Sequence, residues 1–197
     1  MSNYKRIEKM LENNNGIVTS SMLRESNIDN NYLLQLCKKN TIERVSRGVY
    51  MYASKYEDEY YTLQTRCNKG VFSHETALYL YDLSDRVPLT VSMTVPSNYG
   101  ASNLKNENVK LFYIKDDIYE MGITTIKSNY GNNLKVYDIE RTICDIIRSK
   151  KRIDVALFTD ALKRYVKSKD KDLIKLNKYA KALKIENELS KYLEVLL

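Results

Sequence analysis

The chain has 197 residues, 43% of them hydrophobic and 29% charged, with a formal net charge of +7, a balance that fits a water-soluble globular protein with one large core or two small ones. No apolar run approaches the roughly 20 residues of a membrane span, and the opening MSNYKRIEKMLENNN lacks the apolar stretch of a secretion signal, so a cytoplasmic protein with no membrane partner is expected. Cys37, Cys67 and Cys144 lie far apart and His74 is the sole histidine, which excludes a disulfide framework and any multi-histidine metal site; reduced core cysteines are expected, with no metal and no cofactor.

Residues 4–11 have the spacing of a short amphipathic helix, with Ile7, Met10 and Leu11 inward. Asn13, Asn14, Asn15 and Gly16 stop it, and Ile17 and Val18 read as a brief extended link. Thr19 or Ser20 caps a second helix that buries Met22 and Leu23 and ends near Asn27. Asp29 caps a third helix to about Asn40, with Leu33, Leu36 and Cys37 on its inner stripe. Residues 42–45 and 49–52 then read as strands about a tight turn at Ser46, Arg47 and Gly48. Three small helices closed by a basic hairpin predict a winged helix-turn-helix over residues 1–52, and its usual partner is double-stranded DNA. The outward row of the third helix is then Asn30, Asn31, Gln35, Lys38 and Lys39, side chains suited to base edges and phosphates. Ser20 and Ser21 are placed to hold a phosphate with hydroxyls and amides, and Arg44 and Arg47 to touch the backbone or minor groove.

Residues 53–59 are polar and tyrosine-rich and read as a linker to a second domain over residues 60–197. There the order is helix 60–68, strand 71–72, helix 73–82, strand 89–95 with Leu89, Val91, Met93 and Val95 on one buried face, a polar loop 98–108, and strands 109–114, 122–126 and 134–137. Helices follow at 139–149, 153–166, 172–183 and 185–196. Strands succeeded by helices give an α+β class, with a small sheet followed by a helical bundle.

His74 and Glu75 open a helix just after a strand, but neither a paired nucleophile nor a second metal ligand accompanies them. Ser73 as cap and Glu75 at the positive helix end explain them structurally. Asp138 reads as an N-cap with Glu140 in the first turn, and Arg141 and Asp145 are spaced to pair across one turn; a carboxylate pair for acid–base or metal work is the competing reading. No nucleotide-binding glycine motif or nucleophile elbow occurs. Charge is uneven: residues 1–52 carry 8 basic and 5 acidic side chains, residues 53–150 carry 12 and 13, and residues 151–197 carry 12 and 7. Lys163, Arg164, Lys167, Lys175 and Lys178 belong to this last, basic stretch, either a solvated face or a surface for RNA, flanking DNA or an acidic protein.

The residues Ile42-Glu43-Arg44-Val45 with Arg47-Gly48-Val49-Tyr50, Phe72-Ser73-His74-Glu75-Thr76-Ala77-Leu78, the strand 91–95 closing on Pro96, Gly122-Ile123, and Tyr137-Asp138-Ile139-Glu140-Arg141-Thr142 with Asp145 form an ordered set. In that order and spacing the chain resembles the AbiEi-type antitoxins of type IV toxin–antitoxin systems, which act in abortive infection of phage. The resemblance implies an autorepressor whose winged domain binds inverted repeats upstream of its own operon. It implies a carboxyl-terminal domain that opposes a nucleotidyltransferase-like toxin of the AbiEii type without a stable complex, and no enzymatic activity. Two other readings remain open: a ligand-sensing winged-helix regulator, and an enzyme that reverses the toxin's modification.

Overall fold

The computed structural model describes residues 2–54, 57–101, 104 and 108–196. Its contacts divide into two compact units, Met1–Asn68 with Lys127–Leu134, and Lys69–Ile126 with Lys135–Leu197.

The first unit contains α1 (Asn3–Asn13), β1 (Ile17–Thr19), α2 (Ser20–Glu25), α3 (Asn31–Lys38), β2 (Ile42–Ser46), β3 (Val49–Tyr52) and α4 (Glu59–Arg66). The first three helices stop at an asparagine in the left-handed region, Asn15 after α1, Asn27 after α2 and Asn40 after α3, which asparagine tolerates better than most residues. Thr19 is the cap of α2, its hydroxyl accepting from the Met22 amide at 3.2 Å. Asp29 accepts from the Asn31 amide at 2.7 Å at the start of α3. Ile17 and Val18, expected as a link, are a strand: β1 pairs antiparallel with β3, Val18 opposite Tyr50, in a sheet ordered β1-β3-β2. The free edge of β3 supplies the partner, a long-range pairing that a two-residue apolar signal does not announce.

One face of this sheet closes over the three helices. Ile7, Leu11, Val18, Leu23, Ile28, Leu33, Ile42 and Tyr50 form that core, where truncating a buried leucine costs about 2–5 kcal/mol. Ile17, Val49 and Met51 on the other face pack with Tyr61 of α4. The division in contacts therefore falls after Asn68, so α4 groups with the first unit although the sequence assigns residues 60–68 to the second domain. Of the expected linker, residues 55 and 56 lie outside the described residues. Asp58 caps α4 through the Tyr61 amide at 3.1 Å, and its other oxygen accepts from Asn132 Nδ2 at 2.8 Å. Asn15 Nδ2 donates to Asn132 Oδ1 at 2.7 Å. These bonds tie residues 127–134 into the first unit.

The second unit contains β4 (Val71–Phe72), α5 (His74–Leu80), β5 (Val91–Pro96), β6 (Val109–Ile114), α6 (Asp116–Tyr119), β7 (Ile123–Lys127), β8 (Asn133–Tyr137), α7 (Ile139–Arg148), a 3-10 turn Lys150–Arg152, α8 (Val155–Lys167), α9 (Leu173–Leu183) and α10 (Glu186–Leu196). The sheet order is β6-β5-β4-β8-β7. β5 runs parallel to β6 and antiparallel to β4, while β4 is parallel to β8. The α+β expectation holds, with a small sheet followed by helices. One buried face on β5 does not: Ser92, Met93, Thr94 and Val95 are all buried, and Leu89 is 93% exposed. β5 is an inner strand, and Leu89 precedes it. Much of the expected 98–108 loop lies outside the described residues. α7 is the central element, buried continuously from Glu140 to Ile147. Its core partners include Leu78 of α5, Phe158 and Leu162 of α8, Leu176 and Leu183 of α9 and Leu189 of α10.

Candidate nucleic-acid interface

Burial of Leu33 fixes the rotation of α3. Leu36 and Cys37 flank it half-buried, and Asn30, Asn31, Gln35, Lys38 and Lys39 are exposed, as the inner stripe requires. Leu34, 55% exposed, stands in the same outward row. The outward row read from the sequence names only polar and charged residues, so it omits Leu34. No acidic residue lies in the first turn of α3 and Lys38 closes its last. Tyr4 of α1 braces this face: its hydroxyl donates to Gln35 Oε1, and the Lys39 ammonium lies 5.1 Å from its ring centre. Burial pushes the Cys37 thiol up against the opposing pull of Arg44, so no thiolate forms on this helix at neutral pH.

The hairpin turns at Arg47-Gly48, with Gly48 at φ +76° and Ser46 opposite Val49. A register shift between Arg44 and Ser46 bulges β2 there. Arg44 Nε donates to the Ser46 carbonyl at 3.2 Å, laying the guanidinium along the bulge, and both Arg44 and Arg47 are exposed. The Ser20 amide donates to the Gly48 carbonyl at 2.9 Å. That amide is therefore unavailable to a phosphate; Ser20 keeps its half-buried hydroxyl, and Ser21 is exposed.

In the second unit the Asp138–Asp145 segment is a structural hub. Asp138 Oδ1 caps α7 through the Arg141 amide at 2.9 Å, and Oδ2 accepts from the Tyr179 hydroxyl at 2.9 Å. Glu140 Oε1 accepts from the Asp172 amide at 3.1 Å. Arg141, fully buried, reaches Asp145 at 3.1 Å and the carbonyls of Ile118 and Met121 at 3.0 and 2.7 Å. His74 is buried between the Ser73 and Ser149 hydroxyls, and Glu75 stands half-buried in the first turn of α5.

The expected basic surface loses two of its five members. Arg164 is held by Asp85 and by Asp160, the latter at 2.8 Å. Lys175 lies 2.9 Å from Asp138 and 3.4 Å from Glu140. Burial alone would lower the Lys175 pKa, but the Asp138 hydrogen bond and charge raise it well above its ordinary value. Both cations serve the fold. Lys163, Lys167 and Lys178 are exposed.

Three helices and a three-stranded sheet with an exposed polar helix face are consistent with an amino-terminal helix-turn-helix unit. Residues 5–53 match the family described as transcriptional regulator, AbiEi antitoxin, which supports a regulator of that type. Among solved structures, the crystal structure of RV2827C protein from Mycobacterium tuberculosis is similar over 93% of this chain and 76% of that one, with a TM-score of 0.62 and 12% identity; at that identity the likeness concerns fold alone. No curated protein matches the chain in sequence. Among the described residues no helix is long and apolar enough to cross a membrane.

Proposed function

We propose that the protein is a cytoplasmic type IV antitoxin that represses its own operon and opposes a nucleotidyltransferase-like toxin. In this reading residues 1–52 bind inverted repeats in double-stranded operator DNA. The remaining domain counters an AbiEii-like toxin without a stable complex and without catalysis of its own. The observation that carries it is the exposed row Asn31, Leu34, Gln35 and Lys38 of α3 over buried Leu33, together with exposed Arg44 and Arg47 on the hairpin, within the stretch that matches the regulator family. Asparagine, glutamine and lysine suit base edges, and Leu34 suits a thymine methyl. Ser21, Lys39, Arg44 and Arg47 suit phosphates.

Gel-shift titration against the DNA upstream of the operon tests the repressor half. With six or more phosphate contacts, affinity should fall by roughly a thousandfold between about 50 and 200 mM salt. An operator left unshifted at low salt overturns it. Co-expression with the neighbouring gene, scored by growth, tests the antitoxin half: a harmless neighbour refutes it. Alanine at His74, Glu75 or Asp138 that abolishes protection in a folded protein would replace this reading with an enzymatic one.

A further inference from the structure

A cavity of about 480 Å³ opens in the second unit between strands β5 and β6 and the C-terminal end of α7, with His74 at its floor. Such a volume suits a small ligand. Arg148, Lys150, Lys151 and Arg152 line it and are exposed; among the described residues Arg148 acts on the Asp145 carboxylate by charge alone, and Lys150, Lys151 and Arg152 show no carboxylate ion pair. The acid that lines it, Asp145, has both oxygens within 3.2 Å of Arg141 Nε. The negative end of the α7 dipole accounts for one or two cations at this place. It does not account for the histidine.

His74 has φ +49°, a costly conformation for a side chain with a Cβ, and one that the surrounding structure must impose. Its ring stacks on Phe112 at 3.5 Å and 12°, and the Arg152 guanidinium lies 4.6 Å from the centre of the Phe112 ring. The Thr94 hydroxyl donates to Ser73 Oγ at 2.8 Å. Ser73 Oγ lies 2.9 Å from His74 Nδ1, and Nε2 lies 3.1 Å from Ser149 Oγ. In the neutral tautomer that carries its proton on Nε2, Ser73 donates to Nδ1 and Nε2–H donates to Ser149. Burial first, then Lys110, Arg141, Arg152 and Arg148, hold the ring neutral by lowering its pKa well below the usual value. In that tautomer the Ser149 hydroxyl keeps its proton for a ligand at the cavity wall.

We propose that this cavity binds the phosphate chain of a small phosphorylated ligand, with Ser149 donating from its wall and Arg148, Lys150, Lys151 and Arg152 neutralising charge at its mouth. The site is separate from the α3 face and independent of the operator reading. The phosphate chain could belong to a nucleotide or to a free polyphosphate.

Calorimetric titration of the full-length protein with pyrophosphate, ATP and adenosine tests it. Saturable binding of pyrophosphate and ATP, and none of adenosine, is expected; tighter ATP binding identifies a nucleotide site and equal binding a polyphosphate site. Lys151→Ala, exposed and without consequence for folding, should weaken binding roughly tenfold, as should Ser149→Ala, while Lys9→Ala in α1 should change nothing. Absence of saturable binding by both phosphate compounds overturns the proposal. So does binding unchanged by Lys151→Ala and Arg148→Ala together, or binding of single-stranded RNA through these residues with neither small compound bound.

Discussion

Arg141 shows how one side chain can organise a domain. Its guanidinium pairs with Asp145, takes two carbonyls and lies 4.1 Å from the centre of the Tyr137 ring. Arg141→Met would strand Asp145 in the core, a loss of about 3–5 kcal/mol, read as a lower urea midpoint. Asp145→Leu in the same chain should recover part of that loss, because both charges then leave together. Gly122 sits over this arginine at φ +83°, and a Cβ there would lie 2.8 Å from Arg141 Cβ, so Gly122→Ala should destabilise through both conformation and crowding. His74 gives a pH signature. The unfolded chain takes up a proton near pH 6.5, while the folded imidazole, depressed by burial and by surrounding cations, refuses it. Stability from this group is therefore complete above that pH and falls as pH drops, by up to about 1.4 kcal/mol per unit, until the folded pKa is reached. Urea midpoints should show this slope, and His74→Gln should flatten it. The Asp138 cap and the Arg141–Asp145 pair were legible in the sequence because their partners lie three or four residues away. Asp85 lies 79 residues from Arg164, and Asp138 and Glu140 lie far from Lys175, so no local spacing encodes those pairs; only Asp160, one turn from Arg164, is local.

At the scale of elements, helix α3 and the hairpin make separable predictions. On the proposed operator reading, Lys39→Ala should weaken all DNA sequences alike and lower the salt slope by about one, while Gln35→Ala should relax preference at one base pair. Tyr4→Phe should act like a partial Gln35 change, since the Tyr4 hydroxyl holds the amide oxygen. Gly48→Ala leaves room for its Cβ, 3.7 Å from Ser20 Oγ, so its cost is the left-handed backbone alone, about 1–2 kcal/mol. Thermal melting of the variant checks that figure. The helices and the Arg47-Gly48 turn follow from periodicity and capping residues that the chain displays locally. β1 as a strand, and the parallel pairing of β4 with β8, do not, because each depends on a strand edge distant in the sequence. Leu89 marks the converse failure, where apolar identity suggested burial that the fold does not supply.

Over the whole molecule, the net charge of +7 is divided between a helix-turn-helix unit and carboxyl-terminal helices whose cations partly serve internal pairs. Composition could signal a polyanionic partner but could not say which cations were spent. The two units also interleave along the chain, for residues 127–134 belong with the first unit although 69–126 precede them. Asn132 bonds both Asn15 and Asp58 from that segment. A fragment ending at residue 52 or 68 would thus lack one of its own pieces. Chimeras that exchange operator specificity between related regulators should keep their melting temperature only when the short returning segment travels with the amino-terminal part, so recombination at a single junction would seldom yield a sound hybrid.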